Sequence, residues 1–171
     1  ARGRKAGEDK WPEERQRGKK RTMRRTGVME ERCMKRQRQG GIGLYGTSTG
    51  EEAAVVGSAA AVHDEDWIFP ALRQGGALLM RGFPLQLFFN HMFGNAGSTE
   101  LGRSMPMHFS DRRQNVFTWS SCMATQLPHA VGMAYGAKLK KTGQVAVGYL
   151  GDGASSENDF HHALNFAGVW K

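Results

Sequence analysis

Apolar positions Met23, Val28, Met29 and Cys33 recur near helical spacing among Arg, Lys, Glu and Gln between Arg21 and Gln39. The pattern predicts a helix that Gly40-Gly41 stops. A second helix is predicted from Thr49-Gly50-Glu51-Glu52. Its acids sit in the first turn, and the small residues Ala53, Ala54, Gly57, Ala59, Ala60 and Ala61 allow close packing. His63–Asp66 is a polar break before the short buried run Trp67-Ile68-Phe69, and residues 83–93 read as a buried aromatic helix. Residues 94–115 are loop-like, and Val116–Trp119 is short enough for one strand. A polar turn, 120–126, leads into a helix running to about Leu139, with Pro128 near its start and Leu127, Val131, Ala134, Tyr135 and Leu139 as its stripe. Gly132 and Gly136, four apart, flatten one face of that helix. Val145–Leu150 is then a strand, and an amphipathic helix follows Gly151-Asp152-Gly153 at once, with Phe160, Ala163, Leu164 and Ala167 as its stripe. Helix, strand and helix at this spacing predict an α/β fold: a parallel sheet with flanking helices.

The chain has 171 residues, enough for one domain with a real core. Its formal net charge of +8 is uneven. Residues 1–40 hold 15 Lys/Arg and 6 Asp/Glu, whereas residues 41–171 hold 9 and 10. Residues 1–20 are apolar-poor apart from Trp11 and are expected to be a loosely ordered lead-in, with the folded part over 21–171. The basic segment also admits an arm for nucleic acid or an anionic surface, a class the rest of the chain does not support. Cys33 and Cys122 are in no metal-type spacing, which suits a reducing compartment. No apolar run is long enough to span a membrane. Residues 1–40 are Arg-rich but lack serine and carry six acids, a poor match to an organelle transit peptide.

The chemistry concentrates at Gly151-Asp152-Gly153. The glycines let a ligand approach the backbone, and Asp152 supplies a hard oxygen at a strand's carboxyl end, where open α/β sheets bind ligands. Mg²⁺ prefers one or two carboxylates plus substrate phosphates, and a helix N-terminus beyond Ala154 favours an anion. Ser155 and Ser156 read as N-caps, with Asp159 completing a capping box, and His161 and His162 as surface residues. The run Gly41-Ile-Gly43-Leu-Tyr-Gly46 matches G-x-G-x-x-G formally. It follows a charged helical segment where the dinucleotide mechanism needs a buried strand, so it reads as a loop.

Residues 151–167, G-D-G-A-S-S-E-N-D-F-H-H-A-L-N-F-A, resemble the cofactor motif of the thiamine-diphosphate-dependent 2-oxo acid dehydrogenases, E1 component, α subunit. Upstream, R-Q-R-Q-G-G-I-G-L-Y (36–45), G-E-E-A-A-V-V-G-S-A-A-A-V (50–62), F-P-L-Q-L-F (83–88), G-R-S-M-P-M-H-F (102–109) and S-S-C-M-A-T-Q-L-P-H-A-V-G (120–132) resemble that subunit in order, with several segments most like the branched-chain type. The resemblance implies a thiamine-diphosphate-binding fold, incomplete at its C-terminal side, in the N-terminal part of an α subunit. It implies an α₂β₂ enzyme that decarboxylates a branched-chain 2-oxo acid and passes the acyl group to the lipoyl arm of an E2 partner. The pyruvate or acetoin type, and a non-catalytic product that only binds the β subunit, are the rivals. The implied address is the mitochondrial matrix in a eukaryote and the cytoplasm in a bacterium.

By the same resemblance, Asp152 holds Mg²⁺ against the diphosphate, and Gly153 and Ala154 meet the diphosphate by backbone. Arg73 falls at a phosphate-binding position; by its residues alone it is equally a solvated arginine near a turn. Ser121 sits beside the cofactor. Ser120, Thr125 and Gln126, with the Cys122 carbonyl, match a loop for a monovalent cation, K⁺. Read alone, the loop is a polar helix start. His108 is the candidate near the reactive end. This chain departs from the pattern in having Leu72 for tyrosine and Ala71 for glutamine before Arg73, Cys122 for proline and Asn158 for glycine. The family's asparagine pair for Mg²⁺ and its loop histidine have no counterpart within these residues. Its activating glutamate belongs to the β subunit.

Overall fold

A computed structural model describes residues 12–171. Helix α1 spans Glu13–Arg38, α2 Glu52–Ala61, α3 Gly75–Met80, α4 Leu85–Met92, α5 Gln126–Lys140 and α6 Asn158–Trp170. The strands are β1, Trp67–Phe69, and β2, Ala146–Gly148. The lead-in expected over residues 1–20 is therefore corrected: residues 13–20 belong to α1, and residues 1–11 lie outside the described part. The helix starts early because Pro12 precedes it and Glu13 and Glu14 occupy the first turn, where they offset the dipole. Lys35, Arg36 and Arg38 do the same at the other end. Few apolar residues are needed, because α1 buries only a narrow face: Thr26, Met29, Glu30 and Cys33.

The sheet is parallel, with Trp67 opposite Ala146, Ile68 opposite Val147 and Phe69 opposite Gly148. Its bonds alternate in direction. Trp67 N–H donates to the Val145 carbonyl at 2.8 Å and Tyr149 N–H to the Phe69 carbonyl at 2.9 Å, whereas Ile68 bonds the other way, to Asn115 and Phe117. The strand expected at Val116–Trp119 reduces to bridges at Val116, because residue 116 also turns back to pair with Asp111. Asp66 is 3 % exposed and locks the sheet's entrance. Its carboxylate accepts from His63 N–H and Val145 N–H, both at 2.8 Å.

Helix α3 runs against local preference, since its first two residues are the pair Gly75-Gly76, which breaks helices in isolation. The pair serves packing instead. A methyl group at Gly76 would stand 3.3–3.4 Å from Val55, Val56 and Thr26, so α3 lies tight on α1 and α2. The main core gathers Ile68, Leu78, Phe83, Phe88, Met92 and Phe109 around these helices. A second, small cluster of Ala124, Leu127, Ala154 and Ala163 sits between α5, α6 and the Gly151–Gly153 turn. It ties that turn to both helices.

The expected stripe of α5 is partly corrected. Leu127 is buried with Gln126, Ala130 and Ala137, but Leu139 is 65 % exposed, and among the described residues a methyl group at Gly132 or Gly136 would meet no neighbouring element within 4 Å. On α6 only Ala163 is buried. Between α5, β2 and α6 lies an open apolar groove of about 540 Å³, lined among others by Leu150, Leu164 and Trp170. Exposed apolar area of this extent attracts amphiphiles. The chain is expected to enhance the fluorescence of an anilinonaphthalene dye, and Leu164→Glu to reduce the signal severalfold. A chain that leaves the dye dark would contradict the exposed groove.

Candidate functional site

The turn after β2 is not an immediate helix start. Residues Asp152–Ser156 form a 3₁₀ segment, and α6 begins at Asn158 with Glu157 as its N-cap. The expected capping box is thereby corrected. Ser155 Oγ instead donates to the Asp152 carbonyl at 2.6 Å, a local bond that short polar side chains form readily in turns. His161 and His162 are exposed, as expected.

Around this turn a cavity of about 470 Å³ opens at the carboxyl end of β2. One wall is Gly151, Asp152, Gly153 and Ala154; the facing wall is the 120–126 loop, through Ser120, Ser121, Cys122, Met123, Ala124 and Gln126. Ala71, Leu72, Leu44 and Trp119 close the remaining side. Segments far apart in the chain thus meet at one strand end. Gln126 is what joins them: 4 % exposed, it donates from Nε2 to the Tyr149 carbonyl at 2.6 Å, which pins the start of α5 to the exit of β2.

The Asp152 carboxylate is exposed and has no hydrogen-bond or ion-pair partner among the described residues. Ala154 N–H donates to the Gly151 carbonyl at 3.1 Å, at the 3₁₀ turn. The Gly153 amide has no such acceptor among the described residues. In the loop, Cys122 N–H donates to Ser120 Oγ at 3.3 Å and Thr125 Oγ1 donates to the Cys122 carbonyl at 3.0 Å. Three of the oxygens expected to hold a cation therefore share one turn. Ala124 sits there at φ +66°, a conformation that costs an alanine energy and is held by its burial at 1 % exposure.

His108 is bonded to the cavity wall and does not line it. Its Nδ1 bonds the Pro106 carbonyl at 3.0 Å, its Nε2 bonds Ser121 Oγ at 2.6 Å, and its ring lies 3.9 Å from that of Trp119. A carbonyl can only accept, so in the neutral ring Nδ1 carries the proton and Nε2 accepts from the serine. Arg73 is exposed, one residue past the Ala71-Leu72 wall, and its guanidinium donates to the Thr47 carbonyl. It is adjacent to the cavity and does not line it. Leu44, Met123 and Trp119 are cavity residues that the pattern of polar chemistry could not single out, because they are apolar. Among the described residues no cluster of three or more His, Cys, Asp or Glu could hold a metal unaided, and no helix is long and apolar enough to cross a membrane.

Behind Arg73 lies a buried acid. Glu30 of α1 is 3 % exposed; its Oε1 accepts from Ser48 N–H at 2.9 Å and Ser48 Oγ at 2.8 Å, while Oε2 has no partner among the described residues. Burial raises its pKa above the ordinary 4.5, against the opposing pull of the Ser48 bonds and Arg73. Below 4.5 both folded and unfolded chains hold the proton. Between 4.5 and the raised value only the folded chain holds it, so stability falls as pH climbs through that interval. Urea melts across this range should show the decline in the native chain and its disappearance in Glu30→Gln; equal slopes in both would contradict the assignment.

The fold and site together describe a class of protein: a helical domain with a small parallel sheet, in which one carboxylate, a glycine turn and a polar loop meet across one cavity at a strand end. Residues 20–171 match the family model described as dehydrogenase E1 component, and the chain belongs to that family. It is 49 % identical over 142 residues to the Arabidopsis thaliana 2-oxoisovalerate dehydrogenase subunit alpha 2, mitochondrial, covering 83 % of this chain and 30 % of the relative. It is 47 % identical over 151 residues to the Caenorhabditis elegans 2-oxoisovalerate dehydrogenase subunit alpha, mitochondrial, covering 88 % and 35 %. Identity to the Homo sapiens protein of that name is 45 % over 131 residues, covering 77 % and 29 %. The chain thus spans about a third of the length of these curated relatives.

Proposed function

We propose that the chain is part of the α subunit of a branched-chain 2-oxo acid dehydrogenase E1 component, and that its cavity receives the diphosphate of thiamine diphosphate with Mg²⁺. The observation that carries this is the meeting of Asp152-Gly153-Ala154 with the Ser120–Gln126 loop across one cavity. The donor set fits. A single carboxylate without an internal partner cannot cage an ion, but it suits one ligand position of an Mg²⁺ that brings phosphate oxygens and water with it. When bound, thiamine diphosphate supplies the nucleophilic thiazolium carbon that decarboxylates a 2-oxo acid.

The chain's own residues bind and orient. Asp152 holds the metal, and Gly153 gives the diphosphate room and a free amide. Ser120, Thr125, Gln126 and the Cys122 carbonyl gather K⁺, which steadies the loop in its strained turn. Ser121 is oriented by His108, which supports the wall from behind. Arg73 reaches the phosphates only by leaving the Thr47 carbonyl, and Leu72 contributes no hydrogen bond to them. The partners are an E1 β subunit, in an α₂β₂ assembly, and a lipoyl-bearing E2. The substrate is a branched-chain 2-oxo acid, and the address is the mitochondrial matrix if the chain is eukaryotic, in keeping with the relatives whose names carry 'mitochondrial', and the cytoplasm if it is bacterial.

Trp119 lines the cavity, so its emission reports occupancy. In the complex with the β subunit, thiamine diphosphate with Mg²⁺ should quench it saturably, and Trp119→Phe should remove the change. Thiamine without the diphosphate should need concentrations at least tenfold higher, since charge-assisted contacts to the anion are lost. Equal potency of the two would remove the diphosphate from this cavity.

A further inference from the structure

Away from the cavity, α1 and α4 leave a groove of about 390 Å³ between them. Its floor is apolar: Val28, 49 % exposed, with Leu85 and Phe89 one turn apart on α4. Its rim is Arg21, Arg24, Arg25 and Arg32. Positions 21, 25, 28 and 32 advance by four, three and four residues, so three of the arginines and the valine form one stripe along α1. No ion pair reaches any of the four arginines among the described residues. The nearest exposed acid of α1 on the C-terminal side, Glu31, is already paired with Lys35 at 2.6 Å. A buried structural role does not account for four exposed guanidinia around an open apolar floor.

We propose that this groove docks an acidic amphipathic helix of a partner protein. Two helices side by side form the ridges that receive a third, and apolar anchors at i, i+3 or i+4, and i+7 are how a helix fills such a floor. The stripe from Arg21 to Arg32 rises about 16 Å, three turns of a partner helix. Guanidinium groups take carboxylates in bidentate pairs, so Glu or Asp on the flank of the partner helix that faces α1 would meet the arginines. A nucleic acid would satisfy the arginines and could stack a base on Phe89, but the aliphatic Val28 and Leu85 offer it no ring to stack on.

The test uses the 171-residue chain and a short fluorescein-labelled peptide, with Leu at helical anchor positions and Glu along one flank. Anisotropy should give saturable binding, at least tenfold tighter than for a shuffled peptide of the same composition. Arg25→Glu combined with Arg32→Glu should weaken it tenfold or more, and so should Val28→Asp, an exposed site where the helix tolerates the change. Arg103→Glu, an exposed arginine outside the groove's lining, should leave it unaltered, with circular dichroism confirming the helices of every variant. No binding, equal binding of the shuffled peptide, or tighter binding of an oligothymidylate that Val28→Asp leaves intact would each overturn the proposal.

Discussion

Replacing Asp152 with asparagine should abolish calorimetrically detectable binding of thiamine diphosphate with Mg²⁺ by the chain in complex with the β subunit. The amide keeps the size and one oxygen of the carboxylate and removes its charge. Loss of a mere outer partner of a metal ligand costs about 10–100-fold in metal affinity, so loss of the ligand's own charge should exceed that. Stability should not suffer, because the Asp152 side chain is exposed and bonds no described residue. An unfolding midpoint like that of the native chain, together with lost binding, is the expected pair of results. Unchanged affinity would mean that the metal sits elsewhere.

The largest structural effect is expected at Phe88, fully buried on α4. Its ring stacks on Phe109 at 4.5 Å and meets Phe89 edge-on at 6.0 Å, and a side-chain carbon at Gly75 would stand 3.5 Å away from it. The ring therefore joins α3, α4 and the loop that carries Phe109. Phe88→Ala removes this burial and leaves a cavity that the elements around it cannot fill, at a cost of about 3–5 kcal/mol. For a domain whose whole stability is of the order of 5–15 kcal/mol, the melting temperature should drop by roughly 6–20 °C. A loss under about 1 kcal/mol in urea melts, the size of an ordinary substitution, would show that the aromatic cluster is not what holds these helices.

The cavity's polar half was legible in the chain because its residues stand in two short runs, Ser120–Gln126 and Gly151–Ala154, each beside an apolar segment that marks a strand or helix. Chemistry in such runs is local, and glycine, aspartate and serine announce it. Other features were not legible, for definite reasons. The 3₁₀ segment after Gly151 has the same side chains as a helix start; only the Ser155 bond to the Asp152 carbonyl distinguishes the two. Helix α3 was hidden because Gly75-Gly76 breaks helices in isolation, and the reward for glycine here is contact with Val55 and Val56, far along the chain. The early start of α1 depends on terminal charge and on a bond from Arg15 to the Ala60 carbonyl at 3.0 Å, which no local pattern contains. Arg73 and His108 form an intermediate case. Their positions along the chain place them near the cavity, but their bonds to Thr47 and Ser121 decide that they stand behind its surface and not on it.

Everything proposed for the cavity turns on Asp152 and the glycine turn holding a metal-bound diphosphate. Anomalous diffraction from Mn²⁺, substituted for Mg²⁺ in crystals of the complex with the β subunit and thiamine diphosphate, locates the metal without ambiguity. A peak is expected about 2–2.5 Å from an Asp152 carboxylate oxygen, with diphosphate oxygens on its far side. A peak remote from Asp152, with the diphosphate away from Gly153, would contradict the assignment.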